Sequence, residues 1–369
     1  MTSAAVHNDV PYQLTRLGVV MRRDPAVPFE AEGVLNPASG RTPDGRLWLL
    51  PRLVAPGNVS RVGLAEVIVD GGVPVGVRRD SVVLSPDAAW ERGHGHAGVE
   101  DPRTTWIPTL GLHVMTYVAF GPLGPKPALA VSEDLRTWRR LGPVHFGYQP
   151  DLDTDLNLFP NKDVVFFPEL VTAPDGRPAY AMLHRPMWNL GLILGGHQVY
   201  PPAGVDDPRP AIWISYAPAA AVYDDIGALT RLVLHRPVAL PEHGYEQLRI
   251  GAGPPPIRVP EGWLLIHHGV SGREIEGWTP QREVRYAAGA MLLDAADPGR
   301  VIARTPVPIL EPFLSEERQG TVPNVVFPTA IEEVEGHRFI FYGMADSSIG
   351  VARLDRAPEK PRPCPLETP

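Results

Sequence analysis

The stretch Gly262-Trp263-Leu264-Leu265-Ile266-His267 sets aromatic and branched aliphatic residues behind a turn glycine, the pattern of a buried strand rather than a helix face. Pro254-Pro255-Pro256-Ile257 precedes it, and the small-residue run Ala287-Ala288-Gly289-Ala290 follows. The same order recurs around Arg46-Leu47-Trp48-Leu49-Leu50, Leu112-His113-Val114-Met115-Thr116-Tyr117, Ala179-Tyr180-Ala181-Met182-Leu183-His184 and Arg338-Phe339-Ile340-Phe341-Tyr342. Their proline-bearing leaders are Asn36-Pro37-Ala38, Glu100-Asp101-Pro102-Arg103, Phe167-Pro168-Glu169 and Phe327-Pro328-Thr329. Runs such as Ser81-Val82-Val83-Leu84 and Arg231-Leu232-Val233-Leu234 supply a fourth strand. Five such units predict an all-β, five-bladed β-propeller of four-stranded antiparallel blades around a central axial funnel.

Composition agrees. Of 369 residues, 44 are proline and 36 glycine, a density that removes backbone donors and breaks helix interiors, so a helical bundle is excluded. Hydrophobic residues at 44% still supply a sizeable core. The predicted ring occupies 1–369 as one catalytic domain, with 1–30 and 355–369 as peripheral extensions. A net charge of −8 without a Lys/Arg cluster argues against a nucleic-acid partner. The one cysteine, Cys364, allows neither a disulfide framework nor a thiolate metal site. Met1–Asp9 lacks a basic-then-apolar leader and no stretch approaches the ~20 apolar residues of a membrane span, so a cytoplasmic protein with no membrane partner is expected.

The leaders and following strands carry Asn36, Glu100, Asp101, Arg103, Glu169, His184, Arg185 and Asp346 where a repeat would need only filler. Charges turned toward a propeller axis lose solvation, which costs several kcal/mol per ion unless partners or a ligand satisfy them. Their convergence points to a ligand pocket, and carboxylates with aromatics suit sugar chemistry. Glu100 and Asp101 are adjacent, so on a regular strand they face opposite sides and only one reaches the reacting centre. Trp106, Tyr117, Trp188 and Trp213 are candidates for stacking on sugar rings, against packing as the commoner use of aromatics. No metal is expected. Gly93-His94-Gly95-His96 has no further ligands at a recognisable spacing, and Asp151, Asp153 and Asp155 lack the glycine and glutamate of a calcium loop.

Gly98-Val99-Glu100-Asp101-Pro102-Arg103, Asn161-Lys162-Asp163 and Leu183-His184-Arg185-Pro186 together resemble glycoside hydrolase family 130. So do Gly251-Ala252-Gly253-Pro254-Pro255-Pro256-Ile257, His268-Gly269-Val270 and Val322-Pro323-Asn324-Val325-Val326-Phe327-Pro328, which follow in order along the chain. The resemblance implies a five-bladed propeller that cleaves β-mannosides with inversion, as a hydrolase or as a phosphorylase releasing mannose 1-phosphate. It implies that Asp101 is the general acid, acting through a hydroxyl of the bound mannose. It assigns Asn36, Arg52, His184 and Asp346 to the mannose subsite, with Glu100 and Arg185 beside them. No cofactor is implied beyond inorganic phosphate as co-substrate of a phosphorylase. The oligomeric state is left open, a homo-oligomer included.

Phosphorolysis needs an anion seat of two or three Arg or Lys side chains. Family phosphorylases usually carry an arginine in the turn that reads here Ala119-Phe120-Gly121-Pro122-Leu123-Gly124-Pro125-Lys126; Leu123 takes its place. Lys126, Arg185 and Arg249 remain as candidate phosphate ligands. Hydrolysis needs instead a carboxylate that activates water, for which Glu169 and Glu246 are the candidates. On the Leu123 departure, the sequence favours a hydrolase of β-1,2- or β-1,4-linked manno-oligosaccharides over a phosphorylase. A non-catalytic glycan-binding propeller is the alternative of another class.

Overall fold

The computed structural model describes residues 10–93, 97–190, 199–274 and 283–357. Met1–Asp9, most of the Gly93–His96 run and Cys364 lie outside the described residues. The chain is all-β, as expected. After β1 (Tyr12–Arg22), a first meander holds β2 (Gly33–Arg41), β3 (Leu47–Ala55), β4 (Val59–Asp70) and β5 (Val73–Leu84). The second holds β6 (Ala97–Ile107), β7 (Leu112–Gly121), β8 (Gly124–Ser132) and β9 (Arg139–Pro143). The third holds β10 (His145–Phe146), β11 (Asn161–Phe166), β12 (Val171–Thr172), β13 (Pro178–Pro186), β14 (Ile212–Pro218) and β15 (Arg231–Ala239). The fourth holds β16 (Arg249–Ala252), β17 (Ile257–Val259), β18 (Gly262–Arg273), β19 (Glu283–Leu293) and β20 (Val301–Arg304), and the last β21 (Val326–Val334), β22 (His337–Met344) and β23 (Ser348–Arg356).

Hydrogen bonding groups these strands into four sheets, because a short parallel pairing of Val59 with Ala97 and Ser60 with Gly98 fuses the first two meanders. The segment before residue 30, read as a peripheral extension, supplies β1, which pairs antiparallel with β23 and completes the last sheet. Apolar side chains fill the spaces between neighbouring sheets. Trp48 and Leu64 meet Met115 and Tyr117, Val131 meets Phe166 and Trp213, and Leu183 and Ile214 meet Trp263 and Met291. Ile266 and Ala290 meet Ile340 and Tyr342, and Phe339 and Phe341 of the last sheet meet Val34 and Leu49 of the first. Tyr117, Trp188 and Trp213 are therefore spent on these cores, and Trp106 lies tilted against His113 with ring centroids 4.7 Å apart; none of the four lines the polar cavity described below.

The chain entering four of the meanders is fastened in one way. A glutamate buried in the turn before the first strand is gripped by an arginine on the outermost strand. Glu30 meets Arg79 of β5 at 2.7 Å, Glu91 meets Arg140 of β9 at 2.8 Å, Glu246 meets Arg304 of β20 at 2.9 Å and Glu317 meets Arg16 of β1 at 2.9 Å. Backbone amides of the same turn donate to Glu91, Glu246 and Glu317. Tyr117 and Tyr342 hydroxyls donate to Glu91 and Glu317, and His267 holds the same place at Glu246. In the third meander Asn157 does this work with a neutral amide, bonding both polar backbone groups of Phe146.

Two outcomes follow for stability. Arg140→Met strands the buried Glu91 carboxylate and is expected to cost about 3 kcal/mol in urea unfolding near neutral pH, with Glu91→Met/Arg140→Met recovering most of it. Glu332 of β21 accepts a 2.8 Å bond from Ser39 of β2, joining the last meander to the first, and burial pushes its carboxyl up to about 7 from an ordinary 4.5. The folded state thus holds this proton more tightly than the unfolded chain, so the stability the group contributes at low pH is lost as pH rises through about 7. Glu332→Gln is expected to leave the melting temperature near wild type at about pH 4 and to stabilise by about 2 kcal/mol at about pH 8.

Candidate active site

Strands β2, β6 and β11 share a defect at the same stage. The β2–β3 register skips Asn36 and Pro37, the β6–β7 register skips Asp101 and Pro102, and the β11–β13 register skips Asp163 and Val164. At each skip the first residue is left-handed, with φ 42° at Asn36, 47° at Asp101 and 54° at Asp163. Asn and Asp tolerate this conformation better than most side chains, and a bulge re-aims the side chain it carries. All three line one cavity of about 640 Å³, with Arg52, Glu100, Lys162, Arg185, Arg249, Tyr286 and Asp346 among its other walls. Gly343 and Gly251 allow the close approach: a Cβ at either would strike Asn36 Oδ1 or the Asp163 carboxylate.

The bulge also overturns the expected opposition of Glu100 and Asp101. With φ positive at Asp101 the alternation of the strand fails, and both carboxylates face the cavity. One guanidinium binds the two: Arg52 Nη2 donates to Glu100 at 2.7 Å and Nη1 to Asp101 at 3.0 Å, while its Nε is held by Ser60 at 2.9 Å. Asn36 Nδ2 donates to the same Asp101 oxygen at 2.8 Å, leaving Asn36 Oδ1 buried without a partner. Burial favours the neutral form of Asp101, but Arg52, Lys162 and the Asn36 bond outweigh it and hold the carboxyl below the usual range. Asp346 goes the other way. Burial, with Asp101 and Glu100 nearby, pushes it up to about 6 against Arg52 and Lys162.

The cationic walls centre on Asp163. Arg185 Nε donates to it at 2.5 Å, Arg103 Nη2 lies 3.4 Å away and His268 Nε2 3.3 Å, and the two guanidiniums with the His268 ring hold its carboxyl well below the ordinary value despite burial. Arg103 also spans to the Gly253 and Ala252 carbonyls, pinning β16 against β6. Arg185 Nη1 is buried with no hydrogen-bond partner among the described residues. Lys162 Nζ stands 3.4 Å from Glu100, and Arg249 pairs with Glu274 while donating to the Tyr286 hydroxyl at 2.8 Å.

Asn36, Arg52, Glu100, Asp101, Arg185, Arg249 and Asp346 are therefore brought together, and four sequence candidates are not. Glu169 lies beyond the end of β11, about half exposed and 3.4 Å from Arg258, because the bulged residue of that meander is Asp163 and not the residue beside Pro168. Glu246 is one of the buried fasteners. His267 and Arg304 hold its carboxyl down at about 2 in the face of burial, away from the cavity. His184 stands behind the cavity wall in a chain running from Asn161 Nδ2 through His184 and Ser215 to His235, whose Nε2 meets the Gly147 carbonyl. That carbonyl only accepts, so His235 donates from Nε2, Ser215 donates to His235, His184 donates to Ser215, and Asn161 donates to His184. Lys126 is spent on the Asn157 and Phe159 carbonyls at 2.8 and 2.7 Å, and burial lowers its ammonium to about 8. Leu123 is exposed at the β7–β8 turn, so the arginine it replaces in family phosphorylases would project from a position that does not line this cavity.

Asp163, Lys162 and Tyr286 were missed as site residues by the sequence reading. The signal for Asp163 and Lys162 is Asn161-Lys162-Asp163, in which valine and not proline follows the bulged residue, while the nearest proline of that meander, Pro168, lies past the end of β11. Among the described residues no cluster of three or more His, Cys, Asp or Glu has the disposition of a metal site. The Asp155 carboxylate of the acidic loop caps the Asn157 amide.

Residues 45–357 match the family model for glycoside hydrolase family 130, described as beta-1,4-mannooligosaccharide phosphorylase. A 1,2-beta-oligomannan phosphorylase of Thermoanaerobacter sp. (strain X514) is 33% identical over 301 residues, 80% of this chain and 79% of that protein. A beta-1,2-mannobiose phosphorylase of the same strain is 33% identical over 274 residues, 73% of this chain and 69% of that one. Among solved structures, the beta-1,2-mannobiose phosphorylase of Listeria innocua superposes with a TM-score of 0.68 at 22% identity, covering 93% of this chain and 96% of that one. With the family model spanning most of the chain and relatives matched over most of both lengths, this chain is a carbohydrate-active enzyme belonging to glycoside hydrolase family 130.

Proposed function

We propose that this enzyme is an inverting β-mannoside phosphorylase acting on β-1,2-linked manno-oligosaccharides, and that its meanders stand as the five blades of a ring with the cavity at its axis. The ring is supported by the five inter-sheet cores, the last of which joins Phe339 and Phe341 to Val34 and Leu49. The linkage is supported by the two relatives named for β-1,2-mannosides. The preference for phosphate over water rests on one observation above all. Arg185, which lines the cavity with Lys162 and Arg249, has a buried Nη1 with no hydrogen-bond partner among the described residues, while Glu169 and Glu246, the sequence candidates for activating water, lie elsewhere. A phosphate anion would satisfy that donor, and two or three such cations are what a dianion needs.

In this reading a phosphate oxygen attacks the anomeric carbon on the face opposite the scissile bond. The bond from that carbon to the bridging oxygen breaks, and the leaving oxygen takes the proton supplied by Asp101 through a mannose hydroxyl. The products are mannose 1-phosphate and a shortened glycan. Asp101 is ionised at neutral pH among these residues, since Arg52 and Lys162 stabilise its charge. An anion seated near Lys162 offsets that stabilisation and raises the Asp101 pKa, so phosphate binding helps prepare the acid. Asn36, Arg52 and Asp346 offer donors and acceptors for the sugar hydroxyls.

With β-1,2-mannobiose, turnover is expected to depend on phosphate and to yield mannose 1-phosphate; phosphate-independent release of free mannose would establish hydrolysis instead. Asp101→Asn is expected to lower kcat about 10³-fold. Arg185→Met should raise the KM for phosphate about 10- to 100-fold, with a smaller change in the KM for the disaccharide. Ionised Asp346 accepts from sugar hydroxyls at both oxygens and more strongly than the neutral acid, so the disaccharide KM should rise as pH falls through about 6, and Asp346→Asn should flatten that limb.

A further inference from the structure

A second cavity of about 520 Å³ lies outside the substrate cavity and shares no lining residue with it. Its walls come from β1, the chain before β2, and the faces of β3, β4 and β5 turned away from Asp101. Alternation along β3 separates the two sites: Arg52 faces the carboxylates, whereas Pro51 and Leu53 face this cavity. Met21, Leu53 and Val82 make the walls largely apolar.

Three arginines and two acids border or brace the space, and all but one are already paired. Glu30 is taken by Arg79 at 2.7 Å, and Asp80 by Arg136 at 2.9 Å and by the Ser81 hydroxyl at 2.8 Å. Arg61 has no ion pair among the described residues, and its Nη1 is buried without a hydrogen-bond partner. A guanidinium nitrogen shut off from water with nothing to bond is costly unless something else satisfies it. A volume of this size with apolar walls and one convergent polar group has the character of a small-molecule site.

We propose that this cavity binds a small organic monoanion, a carboxylate on an apolar body, with the carboxylate on Arg61 and the body against Met21, Leu53 and Val82. A sugar would leave its hydroxyls unpaired against these walls. A phosphate dianion would want a second free cation, and both Arg79 and Arg136 are committed. One fixed positive charge with apolar surroundings selects one negative charge with an apolar tail.

Calorimetric titration of the full chain with benzoate and octanoate, and with the uncharged benzamide and octanamide, tests the site without any variant. Saturable binding of an acid at least about ten-fold tighter than its amide is expected, because only the acid meets the unpaired guanidinium. Arg61→Met should weaken the acid about ten-fold while leaving mannobiose turnover unchanged, since Arg61 touches nothing in the substrate cavity. Failure of both acids to saturate, equal binding of acid and amide, or full retention of binding in a folded Arg61→Met protein would each overturn the proposal. Displacement of the acid by inorganic phosphate or mannobiose would overturn it too, by placing the anion in the substrate cavity instead.

Discussion

Asn36, Asp101 and Asp163 reach the substrate cavity through a constraint of the backbone, the left-handed residue at the skip in β2, β6 and β11, and the cavity's cations are arranged around them. A regular strand sends alternate side chains to opposite faces, and in a stack of sheets both faces are needed for apolar packing. Such a strand could deliver one polar side chain to the cavity for each one it wastes. Two residues left out of the ladder, the first with φ between 42° and 54°, change that arithmetic. They let Glu100 and Asp101 face the same space from consecutive positions and give one arginine both carboxylates to hold. The residue types follow from the conformation. Asn and Asp carry the smallest penalty there among polar side chains, and Pro after two of them removes a donor that the broken ladder could not have used.

That constraint also explains which parts of the site were legible. The all-β class was written in hydrophobic periodicity, because buried strands leave little freedom in sequence; β1, inside the segment read as an extension, and the short strands β10, β12 and β17 were not. Asn36 and Asp101 were legible because proline follows each of them. Asp163 occupies the same stage with valine behind it, and the proline that marks this stage elsewhere stands four to six residues further on, in Phe167-Pro168-Glu169, past the end of β11. The opposition expected of Glu100 and Asp101 failed for a related reason: alternation is a property of ideal strands, and a positive φ is not visible as a residue type when Asp serves so many other purposes.

Glu246 shows a different limit. Its surroundings in sequence resemble those of a functional carboxylate, yet it is the third of four glutamates that lock the turn before a meander to an arginine on the outermost strand. The partners lie 49, 49 and 58 residues away in the first three cases, and in the last Arg16 reaches Glu317 from the other end of the chain. A repeat of long-range pairs is hard to see when its two halves sit in loops and edge strands of variable length. Only the packed structure reveals that Asn157 fills the same role with an uncharged amide.

Charge placement in this protein thus divides by depth and by partner rather than by residue type. The fastening glutamates are buried, and Glu91, Glu246 and Glu317 each take several donors besides their arginine, so their charge is spent on holding turns. In the substrate cavity saturation is deliberately incomplete in physical effect: Asn36 Oδ1 and Arg185 Nη1 remain unpaired, and Asp346 is left between two like charges and two cations with its pKa near 6. Those unpaired atoms raise the free energy of the empty site, and a ligand that meets them recovers it as binding. A substrate that lacks the matching hydroxyl or anion leaves the cost in place, which makes the same atoms a source of discrimination. Fastening the turns elsewhere is what permits it, since the strands need not rely on the cavity's own contacts to stay in place.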